Sequence, residues 1–185
     1  MNIYHVKSPS SIITSQLGIP LQYKQECIEE CYRIGDKQNQ QTNVKGIMSS
    51  YHVWEETDKF SLVFDNIIRF LDTYCIKDRR YKPVLRNAWS AIYKKGHYTQ
   101  PHNHSPFNLS WVYYLKANMD SPLIFNECDF RIKPIDDMLV VFESNLIHSV
   151  DRHMGEEDRV CLAGNALLGM INETNFTSTY NIAKI

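Results

Sequence analysis

The chain has 185 residues, 43% of them hydrophobic and 22% charged, which is enough to bury one sizeable core and too apolar for a disordered tail. Lys and Arg number 20 against 21 Asp and Glu, a net charge of −1, and this excludes a sequence-independent grip on nucleic acid through bulk charge. The average conceals an asymmetry: Lys77 to Lys95 holds seven basic residues and one acid, and Asp120 to Asp158 holds ten acids and three basic residues. Two oppositely charged solvated faces are the simplest reading.

In chain order, Met1 to Ser15 lacks the apolar core of a signal peptide. With five cysteines, an odd number (Cys27, Cys31, Cys75, Cys128 and Cys161), this leads us to expect a reducing, cytoplasmic setting with buried thiols. Pro20 suits a first helical position, and Leu21, Lys24, Cys27, Ile28, Cys31 and Ile34 follow at spacings of three and four until Gly35, predicting a first helix. Asp36 to Asn43 reads as a polar connector. Phe60, Val63, Phe64, Ile67, Ile68, Leu71 and Cys75 lie on one stripe and predict a second helix.

Beyond Tyr81 the pattern shortens to strand length, near 84–93, 97–104, 108–117, 122–127, 129–133, 138–142, 147–151 and 159–168. Closely spaced short strands without intervening helices predict an antiparallel sandwich or barrel, braced on one outer face by two helices. We therefore expect a single domain over 1–185, with 1–80 a helical support, 81–170 the β core and 171–185 a tail. The longest apolar runs, Trp111 to Leu115 and Met138 to Phe142, are five residues long, against the ~20 that a membrane span needs. The sequons at Asn172 and Asn175 carry no weight in a cytoplasmic chain.

The chemistry-bearing group is Gly96-HYTQP-His102-Asn103-His104. Alternate side chains of an extended strand share a face, so His102 and His104 project in parallel and can converge on one metal ion, with His97 on the opposite face. A third ligand must come from elsewhere, and His148, at the start of a new strand after Met138 to Phe142, is the candidate. A histidine beside an apolar strand also serves as a hydrogen-bonded core residue, and both readings stand at this point.

His102, His104 two residues on, the distant His148 and then Arg159 resemble the HxD/E…H…R pattern of the 2-oxoglutarate/Fe(II)-dependent oxygenase superfamily. The resemblance covers roughly residues 87–165 and is carried by Asn87-Ala88-Trp89, Gly96, PHNHSP from Pro101, SWVYYL from Ser110, FESNLIHSV from Phe142 and RVCLAGN from Arg159. It is similar to the small bacterial and phage oxygenases of that superfamily. The resemblance implies a double-stranded β-helix (jelly-roll) barrel, Fe(II) held by His102, His104 and His148, and 2-oxoglutarate held through its distal carboxylate by Arg159. It also implies dioxygen and an unidentified substrate as partners. Tyr93, Tyr98, Tyr113 and Asn165 are polar-tipped residues on the surrounding strands, and of these Tyr113 and Asn165 are the expected cofactor contacts.

The sequence departs from the pattern at several points. His104 stands in place of the usual carboxylate and leaves the iron site more positive by one unit. Cys161 stands where a serine commonly assists the cosubstrate, Trp111 where the pattern has glycine, and Gly164 where it has phenylalanine. An arginine so placed could instead pair with Glu156, Glu157 or Asp158. The alternatives are a cupin-like three-histidine dioxygenase without 2-oxoglutarate, a three-histidine zinc site activating water, and a non-catalytic binding module on the same barrel; a homo-oligomer is compatible with any of them. The basic run before His102 suggests steering of an anionic cosubstrate.

Overall fold

The computed structural model describes residues 1–7, 10–35 and 42–171. Twelve strands and two α-helices make up the described fold: β1 (Asn2–Lys7), β2 (Ser10–Gln16), α1 (Leu21–Ile34), β3 (Val44–Lys45), β4 (Ile47–Met48), α2 (Ser61–Phe70), β5 (Tyr81–Tyr93), β6 (Tyr98–His102), β7 (Leu109–Lys116), β8 (Leu123–Phe125), β9 (Phe130–Ile132), β10 (Met138–Glu143), β11 (His148–Val150) and β12 (Arg159–Met170). They form a seven-stranded sheet, β1-β2-β10-β7-β12-β5-β4, and a five-stranded sheet, β3-β6-β11-β8-β9. Every strand pair is antiparallel. This is the double-stranded β-helix, mainly β with N-terminal helices, that the sequence led us to expect.

Two apolar layers hold it together. One lies between the sheets and contains Trp89, Tyr93, Tyr114, Phe125, Val140, Phe142 and Cys161. The other lies between the larger sheet and the helices, where Cys27, Cys31 and Ile34 of α1 and Val63, Phe64 and Ile67 of α2 cover Leu85, Ala88, Trp111, Tyr113 and Leu162. Because the larger sheet is covered on both faces, β7 is buried at every position from Ser110 to Leu115, as strands between two layers are.

α1 begins one residue later than predicted: Pro20 is the cap, with its carbonyl accepting from Lys24 N at 3.0 Å. Leu21, counted in the apolar stripe, is exposed. Gly35 ends the helix in an extended conformation, and the reason for glycine is a close approach, since a Cβ there would sit 2.7 Å from Ile47 Cγ2. The second helical stripe is continuous, but its last turn, Leu71–Cys75, is π-helical.

The first 80 residues are not purely helical. β1 and β2 form a hairpin that extends the larger sheet beside β10, where Ile12 and Thr14 are buried. Asp137 ties this entry to the barrel: its carboxylate accepts from Gly18 N at 2.7 Å, Ile19 N at 3.1 Å and Tyr113 Oη at 2.7 Å.

In the long β5–β12 ladder, Asn165 opposes Asn87 and Ala166 opposes Leu85, so Arg86 is an extra residue in β5, a β-bulge. Beyond it Asn87, Trp89, Ala91 and Tyr93 face the barrel interior, while Leu85 joins the helix-side layer. All five cysteines are free thiols, with Cys27, Cys31 and Cys161 buried. No helix among the described residues is long and apolar enough to cross a membrane. The tail with Asn172 and Asn175, and the connector apart from Thr42 and Asn43, lie outside the described residues.

Candidate metal and cosubstrate site

The smaller sheet brings the three histidines together. His148 opens β11 and sits directly opposite His102, the last residue of β6. His104 lies just past the end of β6, held by its backbone N–H, which donates to Ser144 O at 2.7 Å. The strand therefore ends at the first of the pair, but the chain stays extended enough for both side chains to reach the same side. Ring centroids are 4.7 Å apart for His102–His104, 4.4 Å for His102–His148 and 5.1 Å for His104–His148. One ligand atom from each lies within 4.8 Å of the others, so small side-chain rotations suffice for all three to reach one ion. His97, expected on the opposite face of this strand, lies in the preceding turn, where its Nδ1 accepts from Lys94 N at 3.1 Å.

The proton positions suit metal binding. His102 Nδ1 meets Gln100 O at 2.8 Å and His148 Nδ1 meets Leu146 O at 3.0 Å. A carbonyl only accepts, so each Nδ1 carries the hydrogen and each Nε2 presents a lone pair. Burial holds His148 and His104 down to a pKa of about 3, aided by the neighbouring His102, and burial also lowers His102. All three are neutral near pH 7, as ligands must be.

Arg159 lies in the same interior cavity as the triad. It is 1% exposed and forms no ion pair among the described residues; Glu156 pairs instead with Lys95, and Glu157 with Lys116. Its guanidinium is stacked between the rings of Tyr93 and Tyr114, at 4.7 and 4.9 Å. Nη1 donates to Ser121 O at 2.9 Å and Nη2 to Tyr114 Oη at 3.4 Å, while Nε has no partner among the described residues. A buried cation without a counterion costs several kcal/mol, by the order-of-magnitude scale for desolvated charges, and a planar fork with a spare N–H suits a carboxylate.

The other expected contacts divide. Tyr93 lines the cavity, with its hydroxyl bonded to Thr99 Oγ1 at 2.7 Å. Tyr113 does not: its ring belongs to the helix-side layer and its hydroxyl is committed to Asp137. Alternation along β7 places Tyr114 beside Arg159 instead, the residue that sequence reasoning missed. Tyr98 stacks under Arg152 at 4.8 Å, away from the cavity. Cys161 lines the cavity near Arg159, with its thiol pushed up by burial.

Asn165 sits toward the mouth. It lines a second, more open vestibule of about 250 Å³ that shares His102, His104 and Trp89 with the inner cavity. Its side chain is bonded on both sides, accepting from Ser110 Oγ at 2.7 Å and donating to Asn87 Oδ1 at 2.9 Å.

Trp111 and Gly164, separate departures in the sequence, are direct cross-strand partners. The indole packs edge-on against Phe64 at 6.0 Å, and a Cβ on Gly164 would stand 2.5 Å from its Cζ2 and 2.4 Å from Asn87 O. The large-for-small and small-for-large changes therefore compensate each other on the helix side.

Comparison with solved structures places the fold in one class, the double-stranded β-helix. Within it, a viral collagen prolyl hydroxylase from Paramecium bursaria Chlorella virus-1, solved as its 2OG complex, is similar with a TM-score of 0.64 at 14% identity, over 84% of this chain and 94% of that one. A Pseudomonas putida prolyl-4-hydroxylase gives 0.60 at 13% identity, over 86% and 94%. HygX from Streptomyces hygroscopicus, with nickel and 2-oxoglutarate bound, gives 0.63 at 9% identity, over 84% and 82%. No protein-family model matches the chain, and no curated protein matches it.

Proposed function

We propose that the protein is an Fe(II)- and 2-oxoglutarate-dependent dioxygenase that hydroxylates its substrate, with His102, His104 and His148 holding the metal and Arg159 the distal carboxylate of the cosubstrate. The observation that carries the reading is the buried, unpaired Arg159 in the cavity that the three neutral histidines face. A cupin-like site without 2-oxoglutarate makes no use of that cation, a hydrolytic site is set apart by taking zinc, and a binding module by taking up no Fe(II).

When bound, the iron supplies the redox chemistry by which dioxygen decarboxylates 2-oxoglutarate to succinate and carbon dioxide and a hydroxyl group enters the substrate. The chain supplies the rest. Carbonyls of Gln100 and Leu146 fix two imidazoles in the required tautomer. Arg159, sandwiched by Tyr93 and Tyr114, holds one end of a dianion and thereby orients the other. Phe142, 4.7 Å from the His148 ring, and Trp89, 5.7 Å from His104, keep water from the histidines. Three neutral ligands would leave a divalent ion its full charge of two, and with the Arg159 guanidinium the empty site carries three positive charges, of which a dianionic cosubstrate would offset two.

Anaerobic titration with Fe(II) and then 2-oxoglutarate, followed by the metal-to-ligand charge-transfer band, tests this. The band is expected in the wild type, absent in His148→Ala, and shifted to at least about a hundredfold higher 2-oxoglutarate in Arg159→Ala, from the ~3 kcal/mol that a charge-assisted bidentate contact contributes. Iron uptake with no band in the wild type, or an unchanged cosubstrate affinity in Arg159→Ala, overturns it.

A further inference from the structure

The vestibule in front of the histidines carries chemistry that neither metal nor cosubstrate uses. Among the described residues that line it, none apart from His102, His104 and Tyr51 is ionisable as acid or base, and no Asp, Glu, Lys or Arg is present. Its walls are amides and aromatic rings. Trp89 is held edge-on by Tyr51, with centroids 5.3 Å apart, and the rings border the mouth on the same side as Asn87 and Asn165.

Asn87 is aimed by a chain of buried hydrogen bonds. Ser144 Oγ and Ser110 Oγ lie 2.8 Å apart, Ser110 donates to Asn165 Oδ1, and Asn165 Nδ2 donates to Asn87 Oδ1. Since Ser110 spends its one hydrogen on Asn165, Ser144 must donate to Ser110, and the whole chain runs in one direction. It ends at Asn87 Nδ2, which finds no acceptor among the described residues and is not among the buried unpartnered atoms. The amide is therefore a pre-oriented donor open to the vestibule. The far end of the chain, Ser144, is the residue whose carbonyl anchors His104, so the donor and the metal ligand are fixed to one framework.

We infer that the vestibule selects an uncharged substrate, one whose carbonyl or hydroxyl oxygen accepts from Asn87 Nδ2 while an apolar or aromatic part lies against Trp89, and that Asn87 is the specificity-determining residue. A carboxylate or ammonium entering the metal-free vestibule would lose hydration with no oppositely charged side chain among the described lining residues to replace it, whereas a neutral acceptor exchanges one hydrogen bond for another. The assignment of this vestibule to the substrate rests on the dioxygenase reading of the triad.

The test uses three matched probes, 3-phenylpropanamide, 3-phenylpropanoate and 3-phenylpropylamine, titrated by ligand-observed NMR into the full chain without added metal. Excess succinate keeps the carboxylate probe off Arg159. The amide is expected to bind about tenfold more tightly than either charged probe, the scale of one uncompensated polar group. Asn87→Asp, which keeps the shape but removes the donor, is expected to abolish that order and favour the ammonium. Asn87→Ser carries the same test if that variant fails to fold: amide affinity falls about fivefold on the same scale, while the charged probes are unmoved. Equal binding of the three probes, no binding of the amide, or the full tenfold gap persisting in whichever variant folds overturns the inference. The charge-transfer titration is a separate readout, so a band with no amide preference rejects this inference alone, and an amide preference with no band rejects the dioxygenase reading alone.

Discussion

Arg159 holds a full charge where the fold would be better off without one. Replacing it with a well-packed apolar side chain of similar length should therefore stabilise the empty protein while destroying cosubstrate binding. Arg159→Met is expected to raise unfolding free energy by about 1–4 kcal/mol in urea denaturation and to abolish the charge-transfer band, and a destabilised variant would mean that the bonds to Ser121 O and Tyr114 Oη and the stacking on two rings outweigh the cost of burying the charge. The histidine pair was legible in the sequence because a spacing of two fixes a shared side in extended chain. Tyr113 against Tyr114 was not legible, because every residue from Ser110 to Leu115 is buried and an all-apolar strand carries no alternation to show which side faces the cavity. What settles it is Asp137, a residue 24 positions away that claims the Tyr113 hydroxyl.

At the scale of elements, the strands after Tyr81 could be read because turn residues punctuate them at short intervals. β1 and β2 could not, since NIYHVK and SSIITSQ are short and rich in polar residues, and they become strands by pairing with one another, β2 also pairing with β10. The π-helical turn at Leu71–Cys75 continues the apolar stripe of α2 and leaves no mark in composition. The contact between β7 and β12 at Trp111 and Gly164 makes a sharper claim. Gly164→Ala is expected to cost about 1–3 kcal/mol from overpacking, measured by chemical denaturation. Part of that cost should vanish in a Trp111→Leu background, the remainder reporting the 2.4 Å approach to Asn87 O. Equal penalties in both backgrounds would show that the backbone carbonyl alone forbids a side chain there.

For the molecule as a whole, the two charged stretches meet at one ion pair, Lys95 with Glu156. Within the basic run Arg79 and Lys82 pair with Asp72 and Arg80 with Asp78, while Lys77, Arg86 and Lys94 form no ion pair among the described residues. Glu30 ties α1 to the segment that leads into α2: its side chain is 2% exposed between Arg33 of the same helix and Lys59. Hydrogen bonding from Arg33, against the opposing effect of burial, holds its carboxyl at about 2 instead of the ordinary 4.5. A carboxylate with a lowered folded pKa stabilises above its unfolded value and loses that contribution as pH falls through the folded one. Glu30→Gln is thus expected to lower Tm near neutrality, with the gap to wild type closing between about pH 4.5 and 2. Thermal melts across that window check it, and a gap constant with pH would mean that packing, not charge, is what the substitution disturbs.

The extra residue at Arg86 divides one strand into two independently phased halves. On its N-terminal side β5 is keyed to the helices through Leu85, and on its C-terminal side to the interior through Asn87, Trp89, Ala91 and Tyr93. Such a joint acts as a clutch. The helical layer can be exchanged, lengthened or lost in a descendant sequence without rotating the row of side chains that faces the histidines. Removing the single residue Arg86 would restore plain alternation, with Leu85 still opposite Ala166 and Asn87 still opposite Asn165, so both faces of the strand would keep the side chains they now present.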